Sequence, residues 1–406
     1  MKAFLRKLIA ACFKTRLRQV LFILCLLGMT PIAGCGVVLA LWTLPLFRGH
    51  LTAVLNPQTT RGLIYFHDTE RSVPWSMHVV KLSRARQDLE LHSVMGRGAS
   101  QGMATVSQQV KQIPPAWGRP VAAINGDLYN DNHAYLGDPE GLQITRGELV
   151  SAPSPTRTCF WVDAAGNPCH DDVRSQFQVT WPDGRTTPFG LNEARPDDAA
   201  VLYTAAVGAV TRTHGGVELV LERDGSGPWL PLQVGQTYNA RVRDLKPGGH
   251  APTSTNTLVL SLGPELVIGL PMLSTGAVLR LSTATTPALD GIRTAIGGGP
   301  TLVVGGKARE WSGVRMRHPR TAIGWNQNDI YLVVVDGRQF RVSAGMTFPE
   351  LADYLLKLGC QEAIGLDGGG SATCWANGSI RNSPSQGRER PAANALVVLE
   401  TGPGQP

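Results

Sequence analysis

The residues best suited to chemistry lie in one glycine-rich stretch, Ala363-Ile-Gly-Leu-Asp-Gly-Gly-Gly-Ser-Ala-Thr373. A short apolar run predicts a strand that ends at Asp367, where a carboxylate can meet a ligand. The glycines that follow can take positive φ, and successive amides in such a loop can bind an anion. The plain alternative is a tight turn with a solvated aspartate. The candidate binding residues of this loop are Gly368, Gly369, Gly370, Ser371 and Thr373.

Three further loops at predicted strand ends carry groups that fit the same chemistry. Asn125 and Asp127 follow one apolar run, Arg320 begins another, and a second glycine turn contains Gly298 and Gly299. Paired carboxylates are the usual equipment for glycosidic cleavage, and arginine can bind phosphate or carboxylate through two parallel hydrogen bonds. Taken singly, Asp127 fits an ordinary turn and Arg320 a surface ion pair. The predicted catalytic residues are Asp367, Asp127 and Arg320.

The segment before the glycine-rich stretch predicts a helix that would hold it in place. Thr347 and Glu350 have the spacing of a capping box, and Gly359 is a natural helix stop. Apolar residues recur between them at helical spacing. A buried helix would therefore lead into the strand that delivers Asp367.

A serine hydrolase is a competing interpretation, because Gly98-Ala-Ser100-Gln-Gly102 matches the Gly-x-Ser-x-Gly pattern. In that elbow the serine turns sharply straight off the strand end. Here three residues separate the pattern from the predicted strand, which favours a loop that starts a helix near Met103. No phosphate-binding P-loop or His-Glu-x-x-His motif occurs. His318 is the one histidine beside a candidate loop, and a structural role suits it as well as a catalytic one.

The N-terminus predicts a membrane anchor. Residues 1–19 are basic and lack acidic side chains, and residues 20–47 are almost wholly apolar, longer than the ~20 residues that cross a bilayer. The basic flank predicts a cytoplasmic tail, with residues 48–61 as a linker on the far side. The alternative is a lipoprotein, because Ile32-Ala-Gly-Cys35 resembles a lipidation box. We expect a single-pass protein of a bacterial inner membrane whose main domain is periplasmic or extracellular.

Charge and cysteines agree with export. The formal net charge is +7, but six basic residues precede position 19, so the remaining chain is near neutral and no nucleic-acid partner is expected. Four cysteines follow the apolar segment, an even number in an oxidising compartment. We hypothesise disulfides between Cys159 and Cys169 and between Cys360 and Cys374, although spacing alone does not fix connectivity.

The remaining chain predicts one large domain over residues 62–400. Short strands between Gly, Pro and Asp turns dominate residues 177–281, which indicates an inserted β-rich lobe. The predicted fold class is α+β (mixed α/β): a β-rich domain with helices packed on mixed sheets, preceded by one transmembrane helix. No cofactor is predicted. The residues leave open whether a cation binds between Asp367 and Asp127.

A further set of short segments is spread along the chain: Ala123-Ile-Asn-Gly126, Pro139-Glu-Gly141, Gly147-Glu-Leu-Val150, Ile296-Gly-Gly-Gly-Pro300, Pro319-Arg-Thr-Ala-Ile-Gly324, Val335-Asp-Gly-Arg338, Gly345-Met-Thr-Phe-Pro-Glu-Leu-Ala352, Leu366-Asp-Gly-Gly-Gly-Ser-Ala-Thr373 and residues 390–397. Taken together, these segments resemble the phosphodiester glycosidase family, in family order over about residues 60–400. One departure stands out, because the family commonly reads Asn-Gly-Gly-Phe-Phe where this chain has Asn125-Gly-Asp-Leu-Tyr129.

The resemblance implies hydrolysis of the bond between a sugar's anomeric carbon and a phosphodiester. It implies site roles for Asn125, Arg320, Asp367, Ser371 and Thr373, and adds Arg390. Arg320 and the glycine amides would bind the phosphate, Asp367 would stabilise the sugar cation or activate water, and Asp127 would be the second acid or base. Asn125 would contact a sugar hydroxyl or orient its neighbours. The expected substrate is a sugar phosphate or polysaccharide, and the alternative is a polysaccharide-binding or assembly protein that keeps the fold without turnover.

Overall fold

The computed structural model describes residues 62–131, 133–271, 274–311 and 316–402. The predicted tail, membrane segment and linker, residues 1–61, lie outside the described residues. Within the described ranges, no helix is both long enough and apolar enough to cross a bilayer.

Strands provide most of the regular structure. The first twelve are β1 (Leu63–Glu70), β2 (Trp75–Ser83), β3 (Leu89–Met95), β4 (Arg119–Asn125), β5 (Gln143–Thr145), β6 (Glu148–Ser151), β7 (Thr158–Val162), β8 (Pro168–Asp172), β9 (Arg174–Thr180), β10 (Thr186–Leu191), β11 (Ala200–Tyr203) and β12 (Val217–Arg223). The others are β13 (Thr237–Pro247), β14 (Leu258–Leu262), β15 (Val278–Thr286), β16 (Thr294–Gly297), β17 (Thr301–Val304), β18 (Lys307–Ala308), β19 (Arg320–Trp325), β20 (Asp329–Val335), β21 (Glu362–Gly365), β22 (Cys374–Ala376), β23 (Ser379–Ile380) and β24 (Asn394–Glu400).

Helices are few and short in the described part of the chain. The α-helices are α1 (Val106–Lys111), α2 (Pro264–Val267) and α3 (Phe348–Lys357). Four 3-10 turns lie at Pro115–Trp117, His133–Tyr135, Ala205–Val207 and Gly369–Ser371.

The strands form three open sheets and a closed barrel. A seven-stranded sheet has the order β1-β2-β20-β19-β21-β17-β18, and two five-stranded sheets have the orders β23-β22-β4-β24-β3 and β6-β5-β16-β7-β8. The barrel closes in the order β10-β11-β14-β12-β13-β15-β9. Its strands lie between Arg174 and Thr286. The predicted lobe at 177–281 and the other domain boundaries stay predictions.

Two of these sheets form the scaffold of the site by packing face to face. Side chains alternate along a strand, so successive residues of β20 enter different cores. Leu332 and Val334 pack with Ile124 and Leu396 of the β4 sheet. Val333 packs on the opposite face, with Leu351 of α3. The resulting layers are helix, seven-stranded sheet and five-stranded sheet.

The β-rich character that the sequence predicted is confirmed. The helical contribution is smaller than the α+β prediction, because α3 is the one helix of ten residues among those described. The prediction of mixed sheets was wrong for most of the fold, since in the described part of the chain every pair of neighbouring strands is antiparallel except β10 and β11. Short turns connect several of the antiparallel pairs, such as β1 and β2, β7 and β8, and β19 and β20.

The hypothesised disulfides are not formed in the structure, where Cys159, Cys169, Cys360 and Cys374 are all free. Cys169 pairs with Trp161, not with Cys159, so the two cysteines are diagonal neighbours on the β7–β8 ladder. Diagonal neighbours lie ~7–8 Å apart, beyond comfortable disulfide reach. Cys360 and Cys374 belong to separate apolar clusters.

Helix α3 has the ends that the sequence predicted. The Thr347 hydroxyl accepts a hydrogen bond from the Glu350 N–H at 3.3 Å, and the Glu350 carboxylate accepts one from the Thr347 N–H at 2.8 Å. Gly359 stops the helix with φ of +89°, a conformation that glycine adopts without strain. Leu351, Tyr354 and Leu355 are buried against the sheet.

We predict that Thr347→Ala lowers the free energy of unfolding by about 1 kcal/mol, because the first turn loses its side-chain acceptor. Urea denaturation followed by circular dichroism measures the change. Thr347→Ser is the matched control and retains the wild-type midpoint. An alanine variant as stable as the wild type would contradict the capping assignment.

Candidate active site

A single buried amide, that of Asn125 at the end of β4, holds the site together. Its Nδ2 donates to the Asp367 carbonyl at 2.6 Å, and its Oδ1 accepts from the Thr321 hydroxyl at 2.7 Å and the Thr373 N–H at 3.0 Å. The side chain is fully buried. The amide thus ties β4 to β19 and to both ends of the glycine-rich loop. Of the two roles considered for Asn125, this geometry favours orientation over contact with a sugar.

Asp367 leaves the end of β21 and reaches the wall of a cleft. It is 7% exposed, and Arg390 Nη2 donates to its Oδ2 at 3.1 Å. Arg390 also donates through Nε to the Ser371 hydroxyl at 2.9 Å. Burial raises the pKa of Asp367 above its usual value, while hydrogen bonding to Ser371 and the charge of Arg390 oppose that rise. The carboxyl is desolvated yet held in one orientation.

The predicted glycine amides are largely occupied by the protein itself. The N–H groups of Gly298, Gly299 and Gly369 donate to the carbonyls of Thr158, Gly365 and Pro319, at 2.9 Å in each case. These three amides therefore do not form the anion nest that the sequence suggested.

Close backbone approach explains two of the glycines. A Cβ on Gly368 would lie 2.6 Å from the Pro319 carbonyl oxygen, and one on Gly298 would lie 2.9 Å from that of Gly365. Gly368, Gly369 and Gly370 line the cleft with Gly298 and Gly299.

Thr373 is fully buried and its hydroxyl finds no hydrogen-bond partner among the described residues.

Arg320 opens on the same cleft with its charge unpaired by any carboxylate that the structure describes. Its guanidinium donates through Nε to the Met346 carbonyl at 2.8 Å and through Nη2 to that of Met316 at 3.2 Å. It also lies 3.9 Å from the centre of the Phe348 ring. Burial, followed by the charge of Arg338, lowers the pKa of Arg320 to about 10. The group is therefore still cationic at neutral pH and fixed in place.

Asp127 lies beneath the site and does not line the cleft. It is fully buried, its Oδ1 pairs with Arg157, and a Cβ on Gly297 would lie 2.2 Å from its Oδ2. Burial raises its pKa to about 7, which outweighs the attraction of Arg157. Arg157 does line the cleft and also contacts Glu140 at 3.1 Å. Asp127 therefore reaches the cleft only through Arg157.

The sequence motif around Asp127 also shapes the cleft wall. Leu128, which follows Asp127, is 37% exposed and lines the cleft. The Tyr129 ring lies 5.9 Å from the Arg390 guanidinium carbon. The departure from the family pattern at these three positions therefore affects both the wall and the surroundings of Arg390.

The cleft has a volume of about 890 Å³ and a predominance of arginines. Sequence reasoning did not select Arg157, Arg309 or Arg338, which lie on separate loops. The position of Arg338 within the segment Val335-Asp-Gly-Arg338 was the one available signal. The charged lining residues are Arg157, Arg309, Arg320, Arg338, Arg390, Asp172, Glu310 and Asp367. Five arginines against three acids favour an anionic ligand.

The described residues contain no group of three His, Cys, Asp or Glu side chains placed to hold a metal ion. Asp367 and Asp127 therefore belong to no such group of potential metal ligands.

Sequence comparison identifies a phosphodiester glycosidase match over residues 238–399. An uncharacterized SPbeta prophage-derived protein of Bacillus subtilis is 34% identical over 114 residues, which are 27% of this chain and 18% of that protein. The bovine N-acetylglucosamine-1-phosphodiester alpha-N-acetylglucosaminidase is 42% identical over 67 residues, 16% of this chain and 12% of that enzyme. The chain thus spans less than a fifth of the length of each of these two relatives.

Structural comparison supports the fold. The crystal structure of a hypothetical protein from Synechocystis aligns with a TM-score of 0.66 at 21% identity, covering 84% of this chain and 62% of that one. The matched residues 238–399 contain Arg320, Asp367, Ser371, Thr373 and Arg390 but neither Asn125 nor Asp127. The comparisons confirm the resemblance to the phosphodiester glycosidase family that the motifs indicated.

Proposed function

We propose that this chain hydrolyses the glycosidic bond of a sugar-1-phosphodiester in an envelope or extracellular polysaccharide. One observation carries the proposal: Asp367 and the unpaired Arg320 open on the same arginine-rich cleft. The family match over residues 238–399 supports a glycosidase-type function.

The reaction needs few protein groups because the phosphate monoester that is released is already a good leaving group. Water adds to the anomeric carbon and gives up a proton to Asp367 or to solvent, and the phosphate monoester departs with the electron pair of the carbon–oxygen bond. Arg320 binds the phosphate oxygens, whose negative charge increases as the bond breaks. A cation fixed by Phe348 and two carbonyls needs little reorganisation to do this.

In this proposal Asp367 acts on the sugar side of that bond. In its ionised form it stabilises positive charge at the anomeric carbon or accepts a proton from the attacking water. Arg390 and Ser371 favour the ionised form, which burial alone would disfavour. Arg390 and Ser371 thus position Asp367 and adjust its acidity.

The proposal includes anchoring in a bacterial inner membrane through residues 20–47, with the domain periplasmic or extracellular. The apolar run and its basic flank support this placement. Lipidation at Cys35 is the alternative means of attachment.

We predict that the full-length protein releases free sugar from members of a panel of sugar-1-phosphodiesters. Asp367→Asn lowers kcat/KM by about 10³-fold, in the range of a lost acid or base, and Arg320→Gln by about 10²-fold, in the range of one lost electrostatic contact. Asp353→Asn on the exposed face of α3 and Arg280→Gln on the barrel surface are controls and keep wild-type rates.

Folded wild-type protein that binds polysaccharide but releases no sugar from any substrate would contradict the hydrolase. It would favour the binding or assembly protein instead. Wild-type rates in Asp367→Asn would contradict the assignment of this carboxyl while leaving the activity in place.

The buried carboxyl of Asp127 predicts a specific pH dependence of stability. The folded protein keeps this proton up to about pH 7, whereas an unfolded aspartate releases it near pH ~4. The folded state binds more protons in this window, so the contribution of Asp127 to the free energy of unfolding falls as pH rises. In Asp127→Asn that loss is absent.

We therefore expect the stability of Asp127→Asn relative to wild type to increase from pH 4 to pH 7 and then level off. Urea denaturation of both proteins at each pH measures the difference. A constant difference would mean an ordinary pKa, and a falling difference would mean that Arg157 outweighs burial.

A further inference from the structure

A second basic group lies beside Arg320 in the cleft. Arg338 Nη2 is 3.1 Å from His318 Nδ1. The same guanidinium lies over the glycine-rich loop, because a Cβ on Gly369 would be 3.3 Å from its Nη2. Arg338 is exposed, and within the described residues it forms no ion pair with a carboxylate. The cleft thus contains two neighbouring arginines whose charges the surrounding protein leaves uncompensated.

The basic groups of the cleft lie close enough to repel one another. Burial and then the charge of Arg338 lower the pKa of Arg320, and burial and then the charges of Arg320 and Arg338 lower the pKa of His318. A neutral His318 can accept the hydrogen bond from Arg338 and so orient it. Like charges held together without an acidic partner are costly, and a bound anion would offset that cost.

The backbone presents Arg338 on a fixed turn. Its φ is +60°, which is uncommon for a residue with a side chain. The preceding turn is held by the Asp336 carboxylate, which accepts from the Ser383 N–H at 2.9 Å and the Ser76 hydroxyl at 2.8 Å. Gly337 allows contact with Pro319, whose N would lie 2.6 Å from a Cβ there. The turn therefore packs directly against the segment that carries Arg320.

We propose that Arg338, oriented by His318, forms a second anion subsite next to Arg320, and that the substrate's leaving group carries a further acidic group. The substrate class is then a glycosyl phosphodiester whose alcohol bears a phosphate or a carboxylate near the scissile phosphate. This inference rests on the proposed function for its chemistry, but the subsite itself is testable without turnover.

Binding to the full-length protein tests the subsite directly. Isothermal titration calorimetry compares inorganic phosphate with inorganic pyrophosphate, which offers two adjacent anionic centres. We expect wild type to bind pyrophosphate at least about tenfold more tightly than phosphate, and Arg338→Gln to lose this preference. Arg320→Gln weakens binding of both probes. Arg341→Gln is the matched control, since this exposed arginine of the same turn lies over Phe340.

Preference for pyrophosphate that survives in Arg338→Gln would overturn the inference, as would wild type that binds the two probes equally. Hydrolysis rates distinguish a phosphate from a carboxylate as the further acidic group of the substrate. Sugar-1-phosphodiesters whose alcohol is neutral, carries a carboxylate or carries a phosphate are compared by kcat/KM. In wild type, kcat/KM for one of the acidic substrates is expected to be about tenfold higher than for the neutral one, and this difference is expected to be absent in Arg338→Gln.

The two proposals fail in different ways. Hydrolysis of all three substrates at equal rates, without any pyrophosphate preference, would overturn the second subsite and leave the hydrolase intact. Pyrophosphate preference that depends on Arg338, with no sugar released from any substrate, would support the subsite and overturn the hydrolase.

Discussion

The arrangement of the cleft depends on one buried hydrogen-bonded amide. Asn125 sits where the two packed sheets meet, and three of its bonds join β4, β19 and the two ends of the glycine-rich loop. An unpaired buried polar group costs roughly 1–3 kcal/mol, so the partners of Asn125 are held strongly in register. The backbone carbonyl of Asp367 accepts a hydrogen bond from this amide, while its carboxylate pairs with Arg390 and lines the cleft.

The two carboxyls predicted as a catalytic pair, Asp367 and Asp127, differ in their access to the cleft. Both have pKa values raised by loss of water. Asp367 meets the cleft and is balanced by Arg390 and Ser371, whereas Asp127 is enclosed beneath Gly141 and Gly297. The second carboxyl therefore supports the wall through Arg157. Access, more than acidity, distinguishes the roles of the two groups.

Local signals were predictable from the sequence, and contacts between distant segments were not. The capping box at Thr347, the helix stop at Gly359 and the strand leading to Asp367 depend on neighbouring residues, and each is present in the structure. The antiparallel topology, the enclosure of Asp127 and the free thiols depend on which strands become neighbours. Arg338 was missed for the same reason, since its position above Gly369 arises from packing between distant turns.

The use of the glycines explains why arginines dominate the cleft. Gly298 and Gly368 let backbone segments approach to distances that a Cβ would prevent, and three of the loop amides bond to protein carbonyls. Backbone groups committed to holding the loops are not available to an anion. Anion binding then falls to side chains, and Arg320 and Arg338 are two neighbouring cleft arginines without an ion pair to any described carboxylate. The same close packing that fixes Asp367 thus leaves arginines on neighbouring turns as the groups available to bind an anion.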